Sequence, residues 1–287
     1  MTRPNPDITV VVPVYRDWDK VPQLLTALAQ QTCGLDAFEV VIVANDTGPA
    51  APITARTLNL RWLTCETPGS YAARNIGWRG AQAAWVAFTD ADCLPDPQWL
   101  DALLQATRIH PEKLIAGDIK VVGAAQPSLF SDYDRVIGLP QATYVARGDA
   151  ATANLSVARE TLEALGGFDA ARFSGGDAEF CRKAARAGFG LHFARDAVVE
   201  HPARTTFRAH YQKLRRVRGG QIAAGSLTRR LKYLLRTSLP PLRRTVALLR
   251  ADASLKARSN ALCALYLLWF AGFGETLRLL LGGKPVR

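Results

Sequence analysis

The stretch Trp85-Val-Ala-Phe-Thr-Asp-Ala-Asp-Cys-Leu-Pro95 constrains this chain more than any other. Trp85 to Thr89 is short, apolar and aromatic-rich, and Asp and Pro bound it, which is the pattern of a buried strand. Its C-terminal end carries Asp90 and Asp92, separated by one residue. In an open α/β sheet, ligands bind beyond the carboxyl ends of the strands. Two carboxylates in that position cost roughly several kcal/mol per desolvated ion unless a positive partner neutralises them. A hard divalent cation carrying a phosphorylated substrate is a natural partner, because Mg²⁺ favours one or two carboxylates plus phosphate oxygens. An isolated Asp-x-Asp more often does no more than cap a helix. Here Asp96, with Pro97 at the first helical position, is expected to fill that role, which leaves Asp90 and Asp92 for other work.

Around this stretch the chain alternates apolar runs with helical periods. Ile8 to Tyr15, Phe38 to Ala44, Leu60 to Leu63, Leu114 to Val122, Ala153 to Val157 and Leu191 to His201 read as strands. Val21, Leu24, Leu25 and Leu28 recur at helical spacing, with Asp17 or Asp19 as cap and Gly34 beyond the end. Further helices are expected over Tyr71–Ala84, after Pro97, over Thr161–Leu165 and over Ala178–Ala187, the last entered by a flexible loop at Phe173–Asp177. Asn45-Asp46-Thr-Gly48 is a turn signal. Ser131 to Asp149 has no clean period and reads as irregular or helical. The expected fold is α/β: a Rossmann-like, mostly parallel sheet flanked by helices on both faces.

At 287 residues and 48% hydrophobic, the chain allows one large domain or a domain plus an extension. Its charge divides it. From His201 to Arg250 there are thirteen Lys or Arg and no Asp or Glu, within a net charge of +11 for the whole chain. Residues 1–202 are therefore expected to form a mildly acidic body and residues 203–287 a basic, partly apolar helical extension, broken at Gly219-Gly220 and Pro240-Pro241. A polyanionic partner suits such a tail. Ala261 to Gly274 carries no charge but is short of the about 20 residues that span a bilayer. An interfacial helix on an anionic membrane fits it; a core helix of a small helical cap is the plainer alternative. Nucleic acid is not expected, since no helix-turn-helix, RRM or aromatic platform is visible. The five scattered cysteines lack metal-ligand spacing and read as reduced thiols of a cytosolic protein. Met1 to Asp7 lacks the apolar run of a secretory signal.

Several ordered signals then coincide: Val12-Pro-Val-Tyr-Arg16, Ala44-Asn-Asp46, Ala73-Arg-Asn-Ile-Gly77, Thr89-Asp-Ala-Asp92, Asn154-Leu-Ser-Val157, Gly166-Gly-Phe-Asp169 and Gly175-Gly-Asp-Ala-Glu179. In this order and spacing, residues 8–202 resemble the inverting family 2 glycosyltransferases with the GT-A fold. The resemblance implies transfer of a sugar from a nucleotide diphosphate sugar to a hydroxyl of a lipid-linked or saccharide acceptor, with Mg²⁺ or Mn²⁺. It implies that Pro13, Tyr15 and Asp46 hold the nucleotide, Asp46 accepting from the base, and that Arg74 meets phosphate or orients Asp90. Asp92 would be the main metal ligand, with Asp90 on the ribose or the ion and His201 a further metal or phosphate contact. Asp177 would be the general base, and Asn154 and Asp169 would face the acceptor. One position departs: many relatives have Glu where Gly176 stands, so Glu179 is a second candidate base.

Acceptors of this kind imply peripheral attachment at the inner face of the cell membrane and a role in cell-envelope or exopolysaccharide synthesis. Two rivals compete. A sugar-phosphate nucleotidyltransferase should carry a Gly-rich loop with Arg and Lys after the first strand, and Val12 to Asp17 has none. A catalytically inactive GT-A body serving as a membrane- or polyanion-binding module draws support from Gly176.

Overall fold

The computed structural model describes residues 5–46, 57–123, 126–172, 174–223 and 227–285. Thr47 and Gly48 of the expected turn, Phe173, and the first four residues lie outside that set. The elements run β1 (Ile8–Val14), α1 (Val21–Ala29), β2 (Phe38–Ala44), β3 (Leu60–Thr64), α2 (Ser70–Arg79), β4 (Trp85–Thr89), β5 (Leu94–Pro95) and α3 (Trp99–Ile109). They continue with β6 (Leu114–Val122), α4 (Leu129–Ile137), α5 (Gln141–Val145), β7 (Asn154–Ala158), α6 (Arg159–Leu165), α7 (Gly176–Arg186) and β8 (Leu191–Pro202). The last four are α8 (Phe207–Ala223), α9 (Leu227–Ser238), α10 (Leu242–Leu249) and α11 (Leu255–Leu280).

The strands form an eight-stranded mixed sheet in the order β3-β2-β1-β4-β7-β6-β8-β5. β1, β2, β3 and β4 are mutually parallel, whereas β7 joins β4 and β6 antiparallel and β5 joins β8 antiparallel. Period-two alternation divides the core between the faces. Ile8, Val10, Val12 and Val14 pack with Leu24, Leu28, Trp99 and Leu103 of α1 and α3. Val11, Val41 and Val43 turn the other way, toward Tyr71, Trp78, Leu162 and Phe180 of α2, α6 and α7. Helix α2 lies close to the sheet because Gly77 has no side chain: a Cβ there would stand 2.3 Å from Val11 Cγ1.

The chain divides into two compact units, one of Met1–Lys120, Leu139–Arg172 and Gly176–His201, the other of Val121–Gly138, Phe173–Gly175 and Pro202–Arg287. The second unit thus takes in α4 as well as the basic tail. Its core joins Tyr133 of α4 to Leu248 of α10 and to Ala261, Ala264, Leu265 and Leu268 of α11. Helix α11 has 26 residues and is the one described helix long and apolar enough to cross a membrane, yet 39% of its most apolar stretch is buried. Glu275, which interrupts that stretch, is buried and paired with Arg278 at 2.6 Å and Arg215 at 3.4 Å. Arg278 above all holds the Glu275 carboxyl below the usual range.

Several local expectations are corrected. Helix α1 begins at Val21, with Lys20 at the cap position and no side-chain cap; Asp17 pairs with Lys20 instead. Helix α2 stops at Arg79, well before Ala84. Asp96 accepts from the Gln98 N–H at 3.1 Å, but α3 starts only at Trp99 and Gln98 has no capping bond. Helix α8 runs through Gly219-Gly220 to Ala223, so the expected break there is absent. The Pro240-Pro241 break stands, between α9 and α10.

Candidate functional site

The carboxyl ends of β1, β2 and β4 deliver the first group of residues. At the end of β1, Pro13 is half-buried and Tyr15 is exposed. Arg16 follows with φ +62°, a left-handed conformation that a side chain rarely adopts. Asp46, just past β2, fastens that turn: its Oδ2 accepts from the Arg16 N–H at 2.6 Å and its Oδ1 from the Trp18 indole at 2.9 Å. Trp18 in turn stacks on Trp62 of β3, ring centres 5.9 Å apart. Asp46 therefore shapes the rim next to Tyr15 as well as presenting a carboxylate to it.

Asp90 and Asp92 stand past β4, where Asp90, Asp92 and Cys93 bring their side-chain oxygens and sulfur within 4.8 Å of one another. Arg74 of α2 is 4% exposed and donates from Nη2 to Asp90 Oδ1 at 2.5 Å. His201, at the end of β8 and also buried, places Nε2 3.8 Å from Asp92 Oδ2. Burial pushes the Asp92 carboxyl up; His201 opposes this and Asp90 adds to it. Burial likewise pushes the Cys93 thiol well up, so the thiol stays protonated and the pair of carboxylates supplies the hard oxygen donors. This donor set fits Mg²⁺ or Mn²⁺ and not a soft metal.

The second pole is Asp177, in the first turn of α7. Tyr71 of α2 donates its hydroxyl to Asp177 Oδ1. Thr152 donates its N–H and its hydroxyl to Asp177 Oδ2, both at 3.2 Å. A carboxylate has about four lone-pair positions, so these bonds orient it and leave room for another donor. The Arg74 guanidinium sits 5.7 Å from the centre of the Tyr71 ring. Tyr71 and Arg74, three residues apart on one helical face, thus connect Asp177 to Asp90. Burial, reinforced by Asp177, pushes the Tyr71 hydroxyl far up, so it remains a donor.

Tyr71 also accounts for Gly176. A Cβ at 176 would lie 2.7 Å from two carbons of the Tyr71 ring. Glycine here is the steric counterpart of that tyrosine, and any side chain would displace it. Glu179, one turn along α7, is half-buried and takes no hydrogen bond from any described residue.

Two expected site residues are structural or peripheral in their contacts. Asn154 is fully buried. Its Nδ2 donates to the carbonyls of Asp118 at 2.7 Å and Ala197 at 2.8 Å, and its Oδ1 accepts from the Trp99 indole at 2.9 Å. These bonds tie β7 to β6, β8 and α3, a structural use of the amide. Asp169 closes its own loop onto the Ala171 N–H and Arg172 Nε, at 3.1 and 3.0 Å. Asn75, by contrast, explains why it follows Arg74. Its amide holds both the N–H and the carbonyl of Phe168, at 2.9 and 2.7 Å, and so fixes the Gly166-Gly-Phe loop beside Tyr71. Tyr71 and Thr152 were invisible in the sequence pattern. The i, i+3 spacing of Tyr71 to Arg74 was the one signal for the former.

The profile of Glycosyl transferase family 2 matches residues 9–153, about half the chain, and that of Glycosyl transferase family group 2 matches residues 85–278. Glycosyltransferase AglE of Haloferax volcanii is 30% identical over 236 residues, 80% of this chain and 77% of that one. A pre-mycofactocin glycosyltransferase of Mycobacterium tuberculosis is 27% identical over 70% of this chain, which spans 44% of it. Among solved structures, the mannosyltransferase PcManGT of Pyrobaculum calidifontis, in complex with GDP-Man and Mn²⁺, superposes with a TM-score of 0.57 at 23% identity, over 96% of this chain and 79% of that chain. Residues 1–349 of S. aureus TarS, in complex with UDP-GlcNAc, give 0.54 at 18% identity, over 97% and 76%. The chain belongs to glycosyl transferase family 2: it is a glycosyltransferase with the GT-A fold.

Proposed function

We propose that this enzyme transfers a sugar, with inversion, from a nucleotide diphosphate sugar to a hydroxyl of a lipid-linked or saccharide acceptor. The observation that carries this reading is the unbroken line of contacts from Asp177 through Tyr71 and Arg74 to Asp90, with Asp92 and His201 beside it. The two carboxylate poles have different environments and hence different tasks. Asp177, oriented by Tyr71 and Thr152, accepts the proton of the acceptor hydroxyl as its oxygen attacks the anomeric carbon. The bond from that carbon to the diphosphate breaks on the opposite face, and the nucleoside diphosphate leaves. Arg74 pairs with Asp90 at 2.5 Å and aims it. Mg²⁺ or Mn²⁺ held by Asp92 and Asp90 would neutralise charge on the diphosphate. Pro13, Tyr15 and Asp46 form the nucleotide side, where the turn at Arg16 brings backbone and carboxylate to the rim. Glu179 is the reserve base.

The named ligands of the two structural neighbours, GDP-Man with Mn²⁺ and UDP-GlcNAc, support a nucleotide sugar as donor. Residues 1–202 are the catalytic domain in this reading, and residues 203–287 attach it to the inner face of an anionic membrane, where cell-envelope or exopolysaccharide acceptors are assembled. Thermal-shift screening of nucleoside diphosphates and their sugars, with and without Mg²⁺ or Mn²⁺, tests the donor site. A rise for one base that requires metal and vanishes in Asp92→Ala supports the reading. No rise with any nucleotide sinks it.

A further inference from the structure

The helical unit turns apolar side chains outward where a water-soluble surface would hide them. Along α9 and α10, Leu231, Leu235, Leu239, Leu242, Val246 and Leu249 are 59, 63, 67, 64, 45 and 52% exposed. Steps of three or four residues put Leu231 and Leu235 on one face of α9 and Leu242, Val246 and Leu249 on one face of α10, with Leu239 in the link between them. Among the described side chains of these two helices, Thr237 and Leu248, each 2% exposed, are the buried ones. Thr237 Oγ1 accepts from Arg218 Nη1 of α8 at 2.7 Å. The Trp269 indole of α11 donates to the carbonyls of Thr237 and Leu239 at 2.9 and 3.0 Å. Thr245 of α10 meets the Tyr266 hydroxyl of α11 at 3.1 Å. These bonds clamp the α9–α10 elbow with its aliphatic row facing out.

Charge accompanies the row. Arg236, Arg243, Arg244 and Arg250 are exposed on the same two helices, and no Asp or Glu occurs between residues 201 and 251. We infer that the α9–α10 elbow, rather than α11, is the element that docks on an anionic lipid surface. This rests on the membrane reading above and names the surface responsible. A nucleic-acid backbone would satisfy the arginines and leave six aliphatic side chains in water. Anionic headgroups over acyl chains satisfy both, the row entering the boundary and the arginines remaining among the headgroups. Helix α11 also exposes Leu267, Phe270 and Leu277, but it commits Ala261, Ala264, Leu265 and Leu268 to the core of its unit and carries the buried Glu275, so the elbow is the freer element.

Co-sedimentation of the full chain with phosphatidylcholine vesicles, with and without phosphatidylglycerol, tests this. The comparison variant is Leu235→Ser/Leu242→Ser/Val246→Ser, which alters exposed positions only and keeps every charge. Wild type should sediment with the anionic vesicles, and the variant should bind about tenfold more weakly or worse at an unchanged melting temperature. Equal binding by the variant overturns the elbow and leaves membrane attachment standing. Wild type that remains in the supernatant with every vesicle overturns both. A wild-type dimer that the triple substitution converts to monomer, without any vesicle effect, makes a second copy the occupant and overturns the lipid proposal.

Discussion

The two units both bury apolar cores but differ in what they leave outside. In the sheet unit, apolar residues are inside and several charged groups drawn inward have partners: Arg74 has Asp90, Asp177 has Tyr71 and Thr152, Glu39 has Thr9 and Arg61. The helical unit has an apolar core too, around Tyr133, Leu248, Leu265 and Leu268, and buries a threonine hydroxyl and an ion pair beside it, while a further set of leucines stands in solvent. A chain keeps such an arrangement when the surface has a partner. Apolar period therefore marks core in the first unit, whereas along α9 and α10 it marks the exposed face more than the buried one. Matched burial has a corollary: removing one member of a pair should cost more than the pair is worth, because the other is left uncompensated.

The largest expected effect lies at Asp177. Asp177→Asn preserves size and removes basicity, so transfer should fall by about 10²–10⁴-fold while nucleotide affinity holds; near-wild-type transfer would move the base role to Glu179, and Glu179→Gln would then carry the loss. Next comes Asp92→Ala, which should abolish metal-dependent stabilisation by nucleotide, worth about 2.7 kcal/mol at a ligand concentration a hundred times Kd. Stabilisation that persists in this variant would assign the ion elsewhere. Gly176→Ala should destabilise by roughly 1–3 kcal/mol in urea unfolding through its collision with Tyr71. Combined with Tyr71→Ala, the costs should be markedly less than additive; simple additivity would mean the two sites do not share that space.

The smallest effect belongs to the helical unit. Burial, aided by Arg204 and opposed by Asp134, pushes the Lys213 ammonium down to about 8. The unfolded chain then holds a proton there, between about pH 8 and the ordinary lysine value, that the folded chain has released. Stability rises with pH in that window, by roughly 1–2 kcal/mol between pH 7.5 and 9.5. Lys213→Met should show a smaller rise than wild type over the same interval, and an identical rise would place the titration elsewhere.

Much of the sheet unit was legible because its strands are continuous apolar runs, and Asp90 and Asp92 were legible because they end one. What escaped was set by distant partners. β5 is two residues, Leu94–Pro95, and exists only because β8 lies beside it. Asn154 sits in an ordinary strand pattern, and its amide is claimed by Trp99, Asp118 and Ala197. Tyr71 reaches Asp177 across 106 positions. In the tail, helical period was readable, but period alone does not say which face turns inward. Gly219-Gly220 reads as a stop on propensity, roughly 1 kcal/mol per glycine, and packing overrides it.

The missing side chain at Gly77 has a consequence for the tolerances of the site. Seated on Val11 of the central strand, α2 has its height above the sheet set by contact between solid surfaces. Both of its working side chains, Tyr71 and Arg74, take their position from that one datum. Their separation is fixed within the helix itself, so errors elsewhere reach the two poles together and not differentially. Helix α2 is the gauge block of the sheet unit, and its calibration resides in a residue with no side chain at all.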